Sequence, residues 1–171
     1  MRRQILALTL AAFAAAFSQA ARAQSPDAAV LGQFQDWSVL ERVVDGEPVC
    51  FALTEASDKA PKSVRHGDVY FLVSTWRSGV ASEQPSLFVG YPLRPDATPT
   101  VRIGSDRFDM FPDQSEAFIE ARRDEQNLIR AMRAGSTMRV EAVSARGTRT
   151  AYQFSLSGVS AALNRMAQTC G

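Results

Sequence analysis

The fold is decided by residues 138–156, MRVEAVSARGTRTAYQFSL. This stretch holds two segments in which apolar and polar residues alternate. The apolar positions are Met138, Val140 and Ala142 in the first segment and Tyr152, Phe154 and Leu156 in the second. Because successive side chains of a β-strand point to opposite faces, the pattern predicts two strands that each have one buried and one solvated face. Such strands are typical of an antiparallel sheet packed against a second sheet, since parallel strands are covered on both faces.

Further strands are predicted at residues 34–44, 49–56, 69–76, 86–91, 100–103 and 107–111. Turn residues at 45–48 and 104–106 join neighbouring segments into two hairpins. Residues 57–67 are polar and contain a proline, which predicts a surface loop. Residues 69–76 are apolar at both odd and even positions, which predicts a central strand. About seven short strands with regularly spaced turns favour a mainly β fold, an antiparallel β-sandwich.

Two short helices are predicted beside the strands. Asp124 can cap a helix over residues 125–134, whose apolar side chains share one face. Gly135 follows this helix and favours a left-handed stop. The second helical segment covers residues 159–167.

The first 23 residues are predicted to be a cleaved secretory signal. Two arginines give a positive start, residues 5–17 are an uncharged apolar run, and small residues precede the expected cleavage after Ala23. The apolar run has 13 residues, whereas a membrane-spanning helix needs about 20, so we expect no transmembrane segment after signal removal. The mature chain is predicted to hold a flexible leader at residues 24–33 and a single domain at residues 34–171.

The charge balance argues against a nucleic-acid partner. The chain has 19 Lys and Arg residues, 18 Asp and Glu residues and one His. Loss of Arg2, Arg3 and Arg22 with the signal leaves 16 basic against 18 acidic residues, a net charge of about −2. A weakly acidic domain is not attracted to a phosphate backbone, so no nucleic-acid binding is predicted.

The two cysteines, Cys50 and Cys170, are predicted to form a disulfide, because exported proteins fold in an oxidising compartment. The bond would close a loop of about 121 residues, for which the chain-entropy estimate of the stabilisation is about 5 kcal/mol. A pair of free thiols, one of them a nucleophile, is the alternative, although no CxxC spacing supports it.

No catalytic, metal-binding or cofactor-binding constellation is recognisable in the sequence. His66 is the single histidine, which excludes a two-histidine metal site, and neither GxSxG nor a Gly-rich phosphate-binding motif occurs. An acidic stretch lacks the spacing of a calcium loop and is interpreted as solvated turn residues; it comprises Asp106, Asp109, Asp113 and Glu116. We therefore expect no cofactor and no enzymatic activity.

Three segments carry Trp, Tyr and Arg, the residue types that dominate the energetics of protein interfaces. The candidate interaction surface consists of Arg65, His66, Trp76, Arg77, Tyr91 and Arg94. The alternative interpretation places Trp76 and Tyr91 in the core and leaves Arg77 and Arg94 solvated.

The order of several short motifs resembles the invasion-associated locus B family of exported bacterial proteins. The motifs are Phe34-Gln35-Asp36-Trp37, Cys50-Phe51-Ala52, Gly67-Asp68-Val69-Tyr70, Gly90-Tyr91-Pro92, residues 128–135, Arg146-Gly147-Thr148, Phe154-Ser155-Leu156-Ser157-Gly158 and the terminal Cys170. Two positions depart from the family pattern: His66 stands between Arg65 and Gly67, and Phe118 replaces a Trp.

The resemblance implies an immunoglobulin-like β-sandwich in the periplasm or in peripheral association with the outer membrane, in a family linked to host-cell invasion. It brings no reaction, cofactor or catalytic residue. The leading hypothesis is therefore a non-enzymatic envelope protein that acts through contacts with an envelope or host protein, in host-cell interaction or in envelope integrity. The alternative is a periplasmic small-ligand-binding protein or hydrolase with a cleft near His66. A deep pocket with convergent polar groups favours the alternative, and a flat surface favours protein contacts.

Overall fold

Residues 28–171 are described by a computed structural model of the chain. The strands are β1 (Ala29–Phe34), β2 (Trp37–Val44), β3 (Glu47–Glu55), β4 (Asp58–Ala60), β5 (Val69–Trp76), β6 (Gln84–Val89), β7 (Thr100–Ile103), β8 (Asp106–Asp109), β9 (Phe111–Asp113), β10 (Glu116–Phe118), β11 (Thr137–Val143) and β12 (Arg149–Ser155). The helices are α1 (Arg122–Ala134) and α2 (Val159–Cys170). The predicted signal at residues 1–23 lies outside the described residues.

The strands pair into two sheets. The larger sheet has seven strands in the order β1-β2-β3-β5-β6-β10-β9, and the smaller has five in the order β4-β12-β11-β7-β8. Every pairing is antiparallel. The apolar core lies between the sheets and includes the apolar faces of both helices. The predicted fold class, an antiparallel β-sandwich with two helices, is confirmed, and β5 lies in the middle of its sheet as predicted.

The stretch at 138–156 forms the β11–β12 hairpin. Met138 lies opposite Phe154 and Val140 opposite Tyr152, and all four side chains are buried. The buried face of this hairpin therefore closes the core, while the intervening residues of both strands point to solvent, as the alternation predicts.

The predicted turn between β2 and β3 is also present. Asp45 and Gly46 occupy the turn with φ angles of 49° and 86°. A two-residue hairpin turn of this kind needs positive φ at both positions, which Asp-Gly tolerates well.

Two segments predicted to lack regular structure contain strands. Residues 24–33 are predicted as a flexible leader, but residues 29–34 form β1; residues 24–27 lie outside the description. The alternation of β1 is interrupted by Gly32, where the register with β2 shifts, so its pattern is weak. Within the predicted loop at 57–67, β4 pairs with β12. Three residues are too few to display a period of two.

Both predicted helices are present, but their ends differ. Ala121, not Asp124, is at the N-cap of α1, and Asp124 lies in the first turn, where a carboxylate favours the helix dipole. Gly135 ends α1 in an extended conformation, with φ −88°, and not in the left-handed one. Glycine is needed there because a Cβ would lie 2.6 Å from Cγ2 of Ile103. Among the described residues, no helix is long and apolar enough to cross a membrane.

The acidic stretch is divided between the two sheets. Asp106 and Asp109 belong to β8 of the smaller sheet, and the side chain of Asp109 pairs with Arg107 at 2.9 Å. Asp113 and Glu116 lie directly opposite each other in the β9–β10 hairpin of the larger sheet. The four carboxylates are therefore separated, and they lie in strands and not in the predicted turns.

Replacement of Glu116 by Gln is expected to flatten the pH dependence of stability. Burial, and then the nearby Asp113 carboxylate, raise the pKa of Glu116 above its usual value. A raised folded-state pKa means that Glu116 contributes stability fully below its unfolded pKa and loses that contribution as the pH rises through the folded pKa. Urea unfolding between pH 4 and pH 7 should therefore show a smaller loss of stability in Glu116→Gln than in the wild type. Asp113→Asn should give a partial effect, and identical pH profiles for all three proteins would contradict the prediction.

The C-terminal helix is tied to the larger sheet. Cys50 of β3 and Cys170 at the end of α2 form a disulfide, with their Cα atoms 6.1 Å apart, which confirms the predicted pairing. Arg77 strengthens the same junction, because its guanidinium donates to the Glu41 carboxylate at 2.8 Å and to the carbonyl oxygen of Thr169 at 3.4 Å. The helix thus covers the inner side of β1, β2 and β3.

Candidate functional site

Three loops meet at one end of the sandwich and enclose a cleft. They are residues 61–68 before β5, residues 90–93 after β6 and residues 144–148 between β11 and β12. The amide of Ala145 donates to the carbonyl oxygen of Pro92 at 2.9 Å, which joins the last two loops. A Cβ at Gly90 would lie 3.1 Å from the carbonyl oxygen of His66, so glycine allows the first two loops to touch.

A chain of hydrogen-bonded side chains runs beneath the cleft. The hydroxyl of Tyr152 lies 3.0 Å from Nδ1 of His66 and 2.5 Å from the hydroxyl of Tyr91. The Tyr91 hydroxyl in turn lies 2.8 Å from Oγ1 of Thr150. At the other end, Nε2 of His66 lies 2.9 Å from the carbonyl oxygen of Pro61. Residues from two of the loops and from β12 are therefore joined in one polar network.

The hydrogen-bond roles show what His66 does. The carbonyl of Pro61 can only accept, so Nε2 of His66 carries a proton and donates. Nδ1 of His66 lies 3.0 Å from the Tyr152 hydroxyl. Burial, and then the hydrogen bond between Tyr152 and Tyr91, raises the pKa of Tyr152, which keeps that hydroxyl protonated. Both nitrogens of His66 are hydrogen-bonded, so the imidazole ties its own loop to β12.

Replacement of Tyr152 by Phe is expected to lower the free energy of unfolding by about 1–3 kcal/mol, because it leaves His66 and Tyr91 with unsatisfied buried groups. Urea unfolding monitored by fluorescence measures the loss. Tyr70→Phe is the matched control, since the Tyr70 hydroxyl is half-exposed and forms no hydrogen bond among the described side chains. An equal effect of the two substitutions would show that the polar network does not stabilise the loop end.

The cleft has a volume of about 550 Å³. Its apolar walls come from Val64, Pro92 and Ala145, and the side chains of Arg65 and Arg146 stand at its rim. Neither arginine forms an ion pair with another described residue, and none of the described residues that line the cleft is acidic. The cleft is therefore concave, partly apolar and positively charged.

The structure divides the predicted interaction surface between the two ends of β5. Arg65, His66 and Tyr91 line the cleft, and the guanidinium of Arg94 lies against Gly147 beside one of its walls. Trp76 and Arg77 lie at the far end of β5, about 20 Å away at the strand's rise per residue. The six residues thus do not form a single surface. Tyr91 and Trp76 are each half-buried, which lies between the two interpretations of these side chains.

Sequence reasoning missed three residues of the cleft. Tyr152 is predicted correctly as a strand residue, but nothing in the local pattern indicates that it reaches His66, 86 positions away, or that Thr150 lies beside Tyr91. Arg146 was visible as part of an Arg-Gly turn, which is a signal for an exposed loop tip and could have suggested a role at the rim.

A cysteine-based metal site is also excluded by the geometry. The Glu41 carboxylate lies close to the sulfurs of Cys50 and Cys170, with all three donor atoms within 4.8 Å. The two sulfurs are bonded to each other, so neither is a thiolate ligand.

The fold and its loop end define this chain as a disulfide-linked antiparallel β-sandwich with a positively charged cleft. The family described as Invasion associated locus B (IalB) protein matches residues 44–167, more than two thirds of the chain. The chain belongs to this family, as its motifs predict. No curated protein and no solved structure gives a match.

Proposed function

We propose that this IalB-family member is an exported, non-enzymatic envelope protein that binds a partner protein at its cleft. One observation carries the proposal: Arg65 and Arg146, unpaired within the described part of the chain, stand at the rim of a concave surface that also holds Tyr91, and Arg94, which pairs with Asp96, lies beside it. Arginine and tyrosine supply much of the binding energy in protein interfaces, and free guanidinium groups pair well with carboxylates. We therefore expect the partner to present an acidic segment to the cleft.

The state of His66 supports binding without catalysis. A general base must reach a substrate proton with a free nitrogen, and both nitrogens of this imidazole are engaged by Tyr152 and Pro61. This arrangement supports the non-enzymatic form of the proposal over a hydrolase.

The disulfide supports export. A bond between Cys50 and Cys170 persists in an oxidising compartment. We place the mature protein in the periplasm or in peripheral association with the outer membrane, where its partner is an envelope protein or a host protein. Its role is host-cell interaction or envelope integrity.

Photo-crosslinking in intact cells tests the proposal. A benzophenone amino acid at position 145, an exposed residue of the cleft rim, should give a reproducible adduct with one protein. The matched control carries the same group at position 80, where Val80 is 77% exposed near the far end of β5. A rim-specific adduct is the expected result. No adduct at position 145, or the same adducts at both positions, would contradict the proposal.

A small ligand in the cleft is the second candidate, favoured by the cavity of about 550 Å³. Pockets of that size with apolar walls and a few polar groups suit small molecules. Native mass spectrometry of the protein purified from its own periplasm distinguishes the candidates. A bound mass that disappears in Arg65→Glu/Arg146→Glu would favour the small ligand.

A further inference from the structure

The larger sheet carries an apolar outer face, opposite to the core. Eight large apolar side chains point outward from six adjacent strands: Leu40, Phe51, Leu53, Tyr70, Leu72, Phe88, Phe111 and Phe118. None of them belongs to the core between the sheets or packs against it. We call this surface the outer apolar face.

The strand register makes the outer apolar face continuous. Leu53 lies directly opposite Leu72, and Phe118 directly opposite Phe111. The rings of Tyr70 and Phe88 pair with centroids 6.4 Å apart, and those of Phe111 and Phe118 with centroids 5.8 Å apart. Side chains directly opposite in a ladder touch, so these residues form one patch and not scattered exposed positions.

Neither described helix covers the outer apolar face. Cys50, whose side chain points inward from β3, holds α2 on the core side, and the apolar residues of α1 also join the core. Phe111 remains 44% exposed, and the other seven side chains are all partly exposed. Soluble monomers rarely leave a contiguous apolar patch of this kind without a binding role.

The size of the outer apolar face suits a modest interface. Six strands at about 4.8 Å spacing and four rows of outward residues give a face of about 24 by 20 Å, or roughly 500 Å². Two such faces bury about 1,000 Å² in total, which is close to the lower limit of a specific protein interface.

The charges at the two ends of the face are opposite. Arg42 stands at one end and forms no ion pair with another described residue. Glu55, which pairs with Lys59 at 3.1 Å, stands at the other end together with Asp113 and Glu116. A two-fold axis that runs across the strands in the plane of the face reverses the ends, and so brings Arg42 of one copy over the acidic end of the other.

From the continuity, area and polarity of this surface, we infer that the outer apolar face binds a second copy of the chain. The two larger sheets then stack face to face, and the loop-end cleft of each copy stays open. The inference goes beyond the proposed function, because the cleft and the outer apolar face are different surfaces.

Sedimentation velocity of the oxidised mature protein over a range of concentrations tests the inference. A reversible monomer–dimer equilibrium is expected. Leu53→Asp, at the centre of the face, should raise the concentration of half-dimerisation at least tenfold. The control Val80→Asp places the same charge on an exposed valine outside the face and should leave the equilibrium unchanged.

Leu53→Asp could weaken the dimer by disturbing the fold of the monomer. A second test therefore exchanges the charges at the two ends of the face and leaves Leu53 unchanged. Arg42→Glu should weaken the dimer, and Arg42→Glu/Glu55→Lys should restore it in part. A protein that stays monomeric at every concentration would overturn the inference. So would a dimer whose dissociation constant is unchanged by Leu53→Asp and Arg42→Glu, or association that continues beyond the dimer as the concentration rises. Such a result leaves the crosslinking test at position 145 unaffected, so failure of the dimer and failure of the proposed function are distinguishable.

Discussion

Replacement of both Cys50 and Cys170 by alanine is expected to lower the free energy of unfolding by about 5 kcal/mol. The disulfide joins residues separated by 120 positions, and the entropy of closing so long a loop sets this magnitude. Whole domains are stable by only about 5–15 kcal/mol, so the variant should be largely or partly unfolded at 37 °C. Urea unfolding of the two proteins at 25 °C measures the difference.

The wild-type protein in a reducing buffer is the control for packing changes at the two positions. Reduction of the disulfide should reproduce most of the decrease in the free energy of unfolding, because it breaks the bond and leaves the volumes of both side chains nearly unchanged. A loss below about 1 kcal/mol in both experiments would contradict the prediction, because it would mean that α2 holds to the sheet without the bond.

Replacement of Gly158 by alanine is expected to cost about 3 kcal/mol or more. Gly158 starts α2 with φ +93°, and a Cβ there would lie 1.9 Å from the carbonyl oxygen of Phe34. Backbone atoms cannot rotate away as a side chain does, so the β1–β2 turn or the start of α2 has to move. Thermal and urea unfolding measure the loss, and hydrogen exchange of β1 locates it.

Gly104→Ala is the matched control for Gly158→Ala. Gly104 also has positive φ, +58°, but a Cβ there would meet nothing within 4 Å. Its replacement should cost only about 1 kcal/mol, the conformational penalty alone. Equal effects of the two substitutions would show that the contact with Phe34 is not the cause.

The strands of the sandwich can be predicted from the sequence where a segment is long enough to show the alternation of apolar and polar residues and is bounded by residues that favour a turn. The β11–β12 hairpin meets both conditions, and so does the β2–β3 hairpin at Asp45-Gly46. The strands β4, β9 and β10 have three residues each, so their pairing depends on neighbours far along the chain and leaves no local pattern.

The outer apolar face shows a second limit of sequence reasoning. The two apolar sides of β5 predict a strand that is covered on both faces. In the folded domain its second side, with Tyr70 and Leu72, belongs to an open surface. The pattern of apolar residues predicts which side chains are removed from water. It does not indicate whether they are buried by the same chain or by another one.

The cleft could be predicted only in part, for a related reason. Arg65, His66, Tyr91 and Arg94 are of the types that bind partners, and three of them line the cleft. Their convergence depends on the register of β5, β6 and β12, which sets residues from distant segments side by side. The separation of Trp76 and Arg77 from this group follows from the length of β5, once its ends are known.

The measurement that tests partner binding at the cleft most directly is the yield of the position-145 adduct in two charge-reversed backgrounds. Arg65→Glu/Arg146→Glu changes the rim, and Arg102→Glu/Arg107→Glu makes the same change of charge on exposed strand residues of the smaller sheet. The yield of the adduct is expected to fall at least tenfold in the first background and to stay unchanged in the second. An adduct that survives reversal of the rim, or that is lost equally in both backgrounds, would contradict partner binding at the cleft.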